Sequence, residues 1–165
     1  ATKPLFYIAN VDEDTLADIP LPKIEDAAKQ RNRQVVYICG KLEQDLSVLP
    51  EEERSSYMEL YGMKEFSIEK IIHVGYRILD LITFYTVVGK VMRAWTIPRG
   101  TPCIKAAGKI HTDMEKGFIR AEVINIDDFI ACGSEHAARE RGLLRLEGKE
   151  YIVQDGDILH IRFNV

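Results

Sequence analysis

The chain's 165 residues leave room for one ordinary domain or two small ones. With 46 % hydrophobic and 29 % charged residues it has enough apolar material for a packed core, which excludes a disordered or fibrous class. The net charge is −4, and the longest apolar stretch, Ile68 to Val88, is broken by Glu69, Lys70, Arg77 and Asp80, so no membrane span is expected.

In chain order, the first half alternates strand and helix. Leu5 to Ala9 is an unbroken apolar run, the mark of a buried parallel strand. Pro22 sits where a helix can open, with Ile24, Ala27 and Ala28 on one face and Asn32 at its end. Gln34 to Cys39 reads as a second buried strand. Pro50 followed by Glu51, Glu52 and Glu53 predicts a helix start, because acids favour the positive end of the helix dipole; Gly62 predicts its stop. Ile68, Ile71, Ile72, Gly75, Ile78, Leu79 and Ile82 recur at three- and four-residue intervals, which predicts one amphipathic helix.

The second half changes character near Thr83. Strands are expected over 83–88, 91–97, 117–124 and 158–165, with Gly89-Lys90 as a hairpin turn. A short helix is expected over 102–110, and Gln154-Asp155-Gly156-Asp157 is a strong turn signal. Pattern alone gives α/β followed by a small α+β domain.

Charge is uneven. Residues 1–81 hold 10 Lys/Arg against 15 Asp/Glu, and residues 82–165 hold 12 against 11. Within 90–120 the bases Lys90, Arg93, Arg99, Lys105, Lys109, Lys116 and Arg120 outnumber the acids Asp113 and Glu115, a local surplus that suits a polyanion. Trp95 and Phe118 interleave with these bases. That spacing can stack on single-stranded RNA, but strand alternation favours a core role for Trp95.

Cys39, Cys103 and Cys132 form no C-x-x-C pair, so buried free thiols are expected rather than zinc or redox chemistry. His73, His111, His136 and His160 are scattered, and none makes a metal-binding pair. The start, ATKPLFYIANVDED, has no basic leader, so no signal peptide is expected. The absence of an initiator Met fits a fragment.

Two segments carry a family likeness. IHTDMEKGFIRAEV (110–123) and LRLEGKEYIVQDGDILHIRFNV (144–165) closely resemble the C-terminal TGS domain of the YchF/Obg-like ATPase family. Asn10-Val11-Asp12-Glu13 follows the first strand, where that family carries its base-reading motif. Guanine-specific relatives have N-K-x-D here. Glu13 in place of Asp and Val11 in place of Lys argue against tight guanine recognition, and the N-x-x-E form is similar to that of the ATP-preferring Obg-like ATPases. Cys39-Gly40-Lys41 follows the second strand, where the fifth motif of such folds sets backbone N–H groups against the base. Lys41 departs from the usual small residue.

The resemblance implies that residues 1–81 are the C-terminal part of an Obg-type nucleotide-binding domain, the trailing end of a P-loop NTPase parallel sheet. It implies that residues 82–165 are a β-grasp, ubiquitin-like TGS domain. Asn10, Val11, Glu13, Cys39, Gly40 and Lys41 would contact an adenine base, and the basic residues of 90–120 would contact the ribosome or structured RNA. The intact protein would be a cytoplasmic, translation-associated hydrolase that binds ATP and Mg²⁺, with no DNA or membrane partner. The sequence has no G-x-x-x-x-G-K-[ST] and no D-x-x-G. The chain alone is therefore expected to bind nucleotide poorly and to hydrolyse none. No catalytic or metal-binding residue is expected in it. The alternative is a stand-alone TGS-type module that binds RNA or protein and has no nucleotide role.

Overall fold

The computed structural model describes residues 3–16, 18–63, 65–89 and 91–164. The chain forms two compact units, one ending at Leu79 and the other beginning at Asp80.

In the first unit, β1 (Tyr7–Asn10) and β2 (Val35–Ile38) pair in parallel, with Asn10 opposite Ile38. Around them stand α1 (Glu13–Leu16), α2 (Pro22–Gln30), α3 (Gly40–Ser47), α4 (Glu51–Leu60) and α5 (Ser67–Ile78). Pro22 opens α2, where its fixed φ suits the first turn and its missing N–H is no loss. The Tyr37 hydroxyl accepts from Leu21 N at 3.1 Å and donates to Glu25 Oε1 at 3.1 Å, which joins the start of α2 to β2. Leu42 and Leu46, four residues apart on α3, bury against Leu16, Met58, Met63 and Phe66. Glu43 accepts from Ser67 N, at 3.0 and 3.1 Å, and from the Ser67 hydroxyl, which fixes the start of α5 to α3.

The segment from Cys39 to Glu43 enters α3 directly, because Leu42 and Leu46 supply a buried helical face. Two expectations need correction here. Leu5, Tyr7 and Ile8 are exposed rather than buried, because among the described residues β1 has one neighbouring strand. The amphipathic helix stops at Ile78, since Asp80 adopts φ 51 and turns the chain; Ile82 then belongs to a strand.

The second unit comprises β3 (Leu81–Val88), β4 (Val91–Pro98), α6 (Cys103–Ile110), α7 (Thr112–Lys116), β5 (Phe118–Asn125), α8 (Ile126–Cys132), α9 (Glu135–Glu140), β6 (Arg145–Glu147) and β7 (Asp157–Phe163). The sheet order is β4-β3-β7-β5-β6. β3 and β7 run parallel, and every other neighbouring pair is antiparallel. Cys103, Ala106 and Ala107 give α6 a small-residue face that lies close on Ile82, Phe84, Val123, Leu159 and Ile161. The opposite sheet face carries Ile124 and Ile158, which pack with Ala138, Phe129 and Leu143 around α8 and α9.

The turn before β7 is held by its acids. Asp157 is buried and accepts from the Tyr151 hydroxyl at 2.7 Å and from Gln154 N at 2.9 Å. Asp155 Oδ1 accepts from Thr83 N at 2.8 Å, tying the turn to β3.

Candidate functional site

β1 and β2 end side by side, so the segments that follow them meet. Val11 N donates to Ile38 O at 2.8 Å, and Gly40 N donates to Asn10 Oδ1 at 3.1 Å. Asn10, Val11, Asp12, Glu13, Asp14, Cys39 and Lys41 line a recess of about 420 Å³. The residues of the two sequence motifs therefore share one place. Gly40 is the first residue of α3, so its N–H has no acceptor inside the helix and Asn10 supplies one. Lys41 and Leu42, the next two residues, also have amides without an intrahelical acceptor by helix geometry. With its oxygen committed to Gly40, Asn10 keeps the Nδ2 hydrogens as free donors.

The acids of the motif divide their work. Asp12 Oδ1 accepts from Thr15 N at 2.8 Å, capping α1. Hydrogen bonding from the Thr15 side chain, and then from its backbone N–H, holds the Asp12 carboxyl below its usual range. Glu13 stands at the rim and pairs with Lys41 at 3.3 Å. The hydrogen bond and charge of Glu13 push the Lys41 ammonium above its ordinary value. Lys41, the departure from the small residue of related loops, thus reaches back to neutralise the acid of the other motif.

The basic segment is less coherent than its sequence implies. Arg99 is paired with Asp80 at 3.1 Å, and Lys105 with Glu115 at 2.6 Å. Lys105, Lys109 and Lys116 lie on α6 and α7, on the helical side of the sheet. Arg93 shares the Trp95 side of β4, the same helical side, by strand alternation. Lys90 lies outside the described residues. Arg120 is on β5 opposite Arg162, on the other face. Trp95 stacks on Phe84 with ring centroids 6.4 Å apart, and its indole N–H donates to Thr86 Oγ1 at 2.9 Å. Phe118 is buried. These two aromatics serve the core, and neither is a stacking platform.

One cluster is not visible in the sequence. Glu122, whose side chain is 7 % exposed, lies 3.2 Å from Arg139 Nη2 and 3.3 Å from Arg162 Nη2. Burial alone would raise the Glu122 carboxyl, but Arg162, Arg139 and His160 outweigh it and hold it below its ordinary value. Among the described residues no group of three His, Cys, Asp or Glu is placed to hold a metal ion. No helix of the described residues is long and apolar enough to cross a membrane.

The family model YchF-GTPase_C, described as "Protein of unknown function (DUF933)", matches residues 81–164. The chain belongs to the YchF family. It is 48 % identical over 164 residues to the ribosome-binding ATPase YchF of Haemophilus ducreyi, covering 99 % of this chain and 45 % of that protein. The protein of the same name from Bacillus subtilis is 42 % identical over 168 residues, covering 99 % of this chain and 46 % of that one. The solved YchF GTPase of Schizosaccharomyces pombe superposes with a TM-score of 0.86 at 33 % identity, over 97 % of this chain and 43 % of its own. A Pyrococcus horikoshii GTP binding protein shares the fold, with a TM-score of 0.68 at 22 % identity over 98 % of this chain and 46 % of its own. The chain spans less than half the length of these YchF relatives.

Proposed function

We propose that this chain is the base-recognising and ribosome-facing part of a cytoplasmic, translation-associated P-loop ATPase. The first unit ends the nucleotide-binding domain, and the second is a β-grasp TGS domain. The order β4-β3-β7-β5-β6, with the unit's first and last strands parallel at its centre and α6 across one face, supports the β-grasp reading. The names of the relatives, ribosome-binding ATPases, support the ribosome as partner. Contact with the ribosome runs through structured RNA.

The observation that carries the nucleotide reading is the hydrogen bond from Gly40 to Asn10, which sets both motifs round one recess. A planar base there meets the Asn10 Nδ2 donors and the α3 amides. Adenine offers N7 as an acceptor and lacks the N2 donor through which guanine engages an acid. Glu13, neutralised by Lys41, is poorly placed to accept that donor. The residues present fit the base. They do not fit Mg²⁺ or the phosphates, so phosphate and metal contacts fall to other parts of the intact ATPase.

The test is a titration of the intact protein with labelled ATP and GTP analogues. Val11→Lys with Glu13→Asp rebuilds N-K-x-D and shifts preference toward guanine. An unchanged ratio would show that these positions do not read the base, and would favour a binding module without a nucleotide role.

A further inference from the structure

Among the described residues β2 pairs on one side only, with β1. Tyr7 N donates to Gln34 O at 2.9 Å and Val11 N to Ile38 O at 2.8 Å, so Gln34, Val36 and Ile38 turn their backbone groups toward β1. Alternation turns the N–H and C=O of Val35 and Tyr37 the other way, and no other segment of the described residues bonds them. A recess of about 340 Å³ runs along this edge. Residues 34–37 line it in unbroken succession, which side chains on alternate faces allow only along the edge of the strand. The far wall is α5, where Lys70, His73 and Arg77 follow at three- and four-residue steps on one face. His73 lies 3.5 Å from Glu65. Lys70 and Arg77 have no ion pair among the described residues.

We propose that this edge of β2 is a docking site for an extended acidic segment of a partner protein, which joins the sheet as a strand and sets its carboxylates against Lys70 and Arg77. The site lies apart from the base recess and depends on neither base reading nor RNA contact. A peptide strand supplies what the edge lacks, a donor and an acceptor at every second residue, and strand addition is a recurring mode of peptide recognition. The two cations fix the sign of the partner's charge. Lys70 and Arg77 are about 10 Å apart along the helix axis, which about three residues of strand span, so acids on one face of the added strand reach both. An RNA backbone would satisfy the two cations. It is rich in acceptors, however, and would leave the carbonyls of Val35 and Tyr37 without donors. Two copies joined edge to edge would set Lys70 and Arg77 of each against those of the other, like charge against like.

The test titrates the intact protein, by fluorescence anisotropy, with a labelled eight-residue peptide of alternating Val and Glu. Two companion peptides divide the contributions. One is N-methylated at every amide and cannot donate to a strand edge; the other has Gln in place of Glu. Lys70→Gln combined with Arg77→Gln removes both charges and leaves the buried Val74 of α5 in place. Val35→Pro removes an outward N–H, a change that an edge strand tolerates. Melting curves verify that both variants fold, and the N-methylated peptide asks the same question should Val35→Pro not fold. The expected result is binding of the acidic peptide by the parent, and binding about 10-fold weaker for the Gln peptide and for the charge variant. The N-methylated peptide and Val35→Pro should lose at least as much. Parent-like binding of the N-methylated peptide overturns strand addition, and parent-like binding by the charge variant overturns the acidic partner. No binding by the intact parent at millimolar peptide overturns the proposal outright. A labelled RNA hairpin that binds the parent and not the charge variant, where the peptide does not bind, overturns it in favour of nucleic acid. A dimer in sedimentation that Val35→Pro abolishes overturns it in favour of a second copy.

Discussion

Asn10 and Gly40 are thirty residues apart in sequence and share one hydrogen bond, 3.1 Å from the Gly40 N–H to Asn10 Oδ1. The bond ties the end of β1 to the first turn of α3. It takes up a donor that the helix cannot satisfy itself, and it turns the Asn10 amide so that its hydrogens are free for a ligand.

Two substitutions separate this positioning role from bulk packing. Asn10→Ala removes both the tether and the donors, and nucleotide affinity of the intact protein should fall by about 10-fold, the value of one good directional contact. Gly40→Ala should fold normally. An added Cβ meets Asn10 Oδ1 at 3.5 Å, an ordinary contact, and Ala favours the helix by about 0.5–1 kcal/mol. Nucleotide titration with a melting curve on each variant checks both. Equal affinity for Asn10→Ala and parent would remove Asn10 from the site.

The pairing of the two motifs was legible because each follows an apolar strand, and parallel strands end side by side. The function of Lys41 was not legible. Its ion pair with Glu13 depends on α3 starting at Gly40, and the sequence there reads as a loop unless Leu42 and Leu46 are recognised as one buried face. The strands of the second unit were legible from alternation and turn residues. Residues 126–143 and β6 gave no clear period, being two short helices and a three-residue strand. The Arg120–Glu122–Arg162 cluster was hidden for a different reason. Arg162 lies forty residues from Glu122, and only the β5–β7 register brings them together. Charge counted along 90–120 took in Arg120 alone, because Glu122 and Arg162 lie beyond that stretch.

Gly117 should be intolerant of any side chain. It is the C-cap of α7 and its carbonyl accepts from Asn164 N at 2.9 Å. A Cβ at this position would land on the Asn164 carbonyl, which is backbone and cannot swing aside. Gly117→Ala should destabilise the second unit by about 2 kcal/mol or more. Gly148→Ala is the control, because an added Cβ there meets nothing within 4 Å. Denaturant curves followed by the single Trp95 report on this unit. Similar midpoints for the two variants would contradict the close approach.

The chain by itself should turn over neither ATP nor GTP with Mg²⁺. Catalysis of phosphoryl transfer consists of positioning phosphates and metal, and the sequence carries neither G-x-x-x-x-G-K-[ST] nor D-x-x-G to do so. Phosphate release is measured through successive purification columns. Turnover that follows the chain, and disappears in Glu13→Ala, would refute the expectation.

Stability of the second unit should fall at both ends of the pH scale. On the acid side, Glu122 has a carboxyl held below its ordinary value of 4.5, against its own burial, by Arg162 and Arg139. The unfolded chain binds that proton more readily, so the contribution is present above the ordinary value and is lost as pH falls through the depressed one. On the alkaline side, burial pushes the Cys103 thiol from 9.0 to about 12. Burial, then the hydrogen bond to Asp157, pushes the Tyr151 hydroxyl from 10.0 to about 12. For both groups the unfolded chain releases the proton first. Their contribution is therefore complete below pH 9 and declines as pH rises toward 12. Denaturant midpoints read from Trp95 fluorescence across this range give the two limbs. Tyr151→Phe should lower the plateau, because Asp157 loses a donor, and should flatten the alkaline limb while leaving the acid limb unchanged. An alkaline limb of the same slope in Tyr151→Phe and parent would show that the Tyr151–Asp157 bond does not set it.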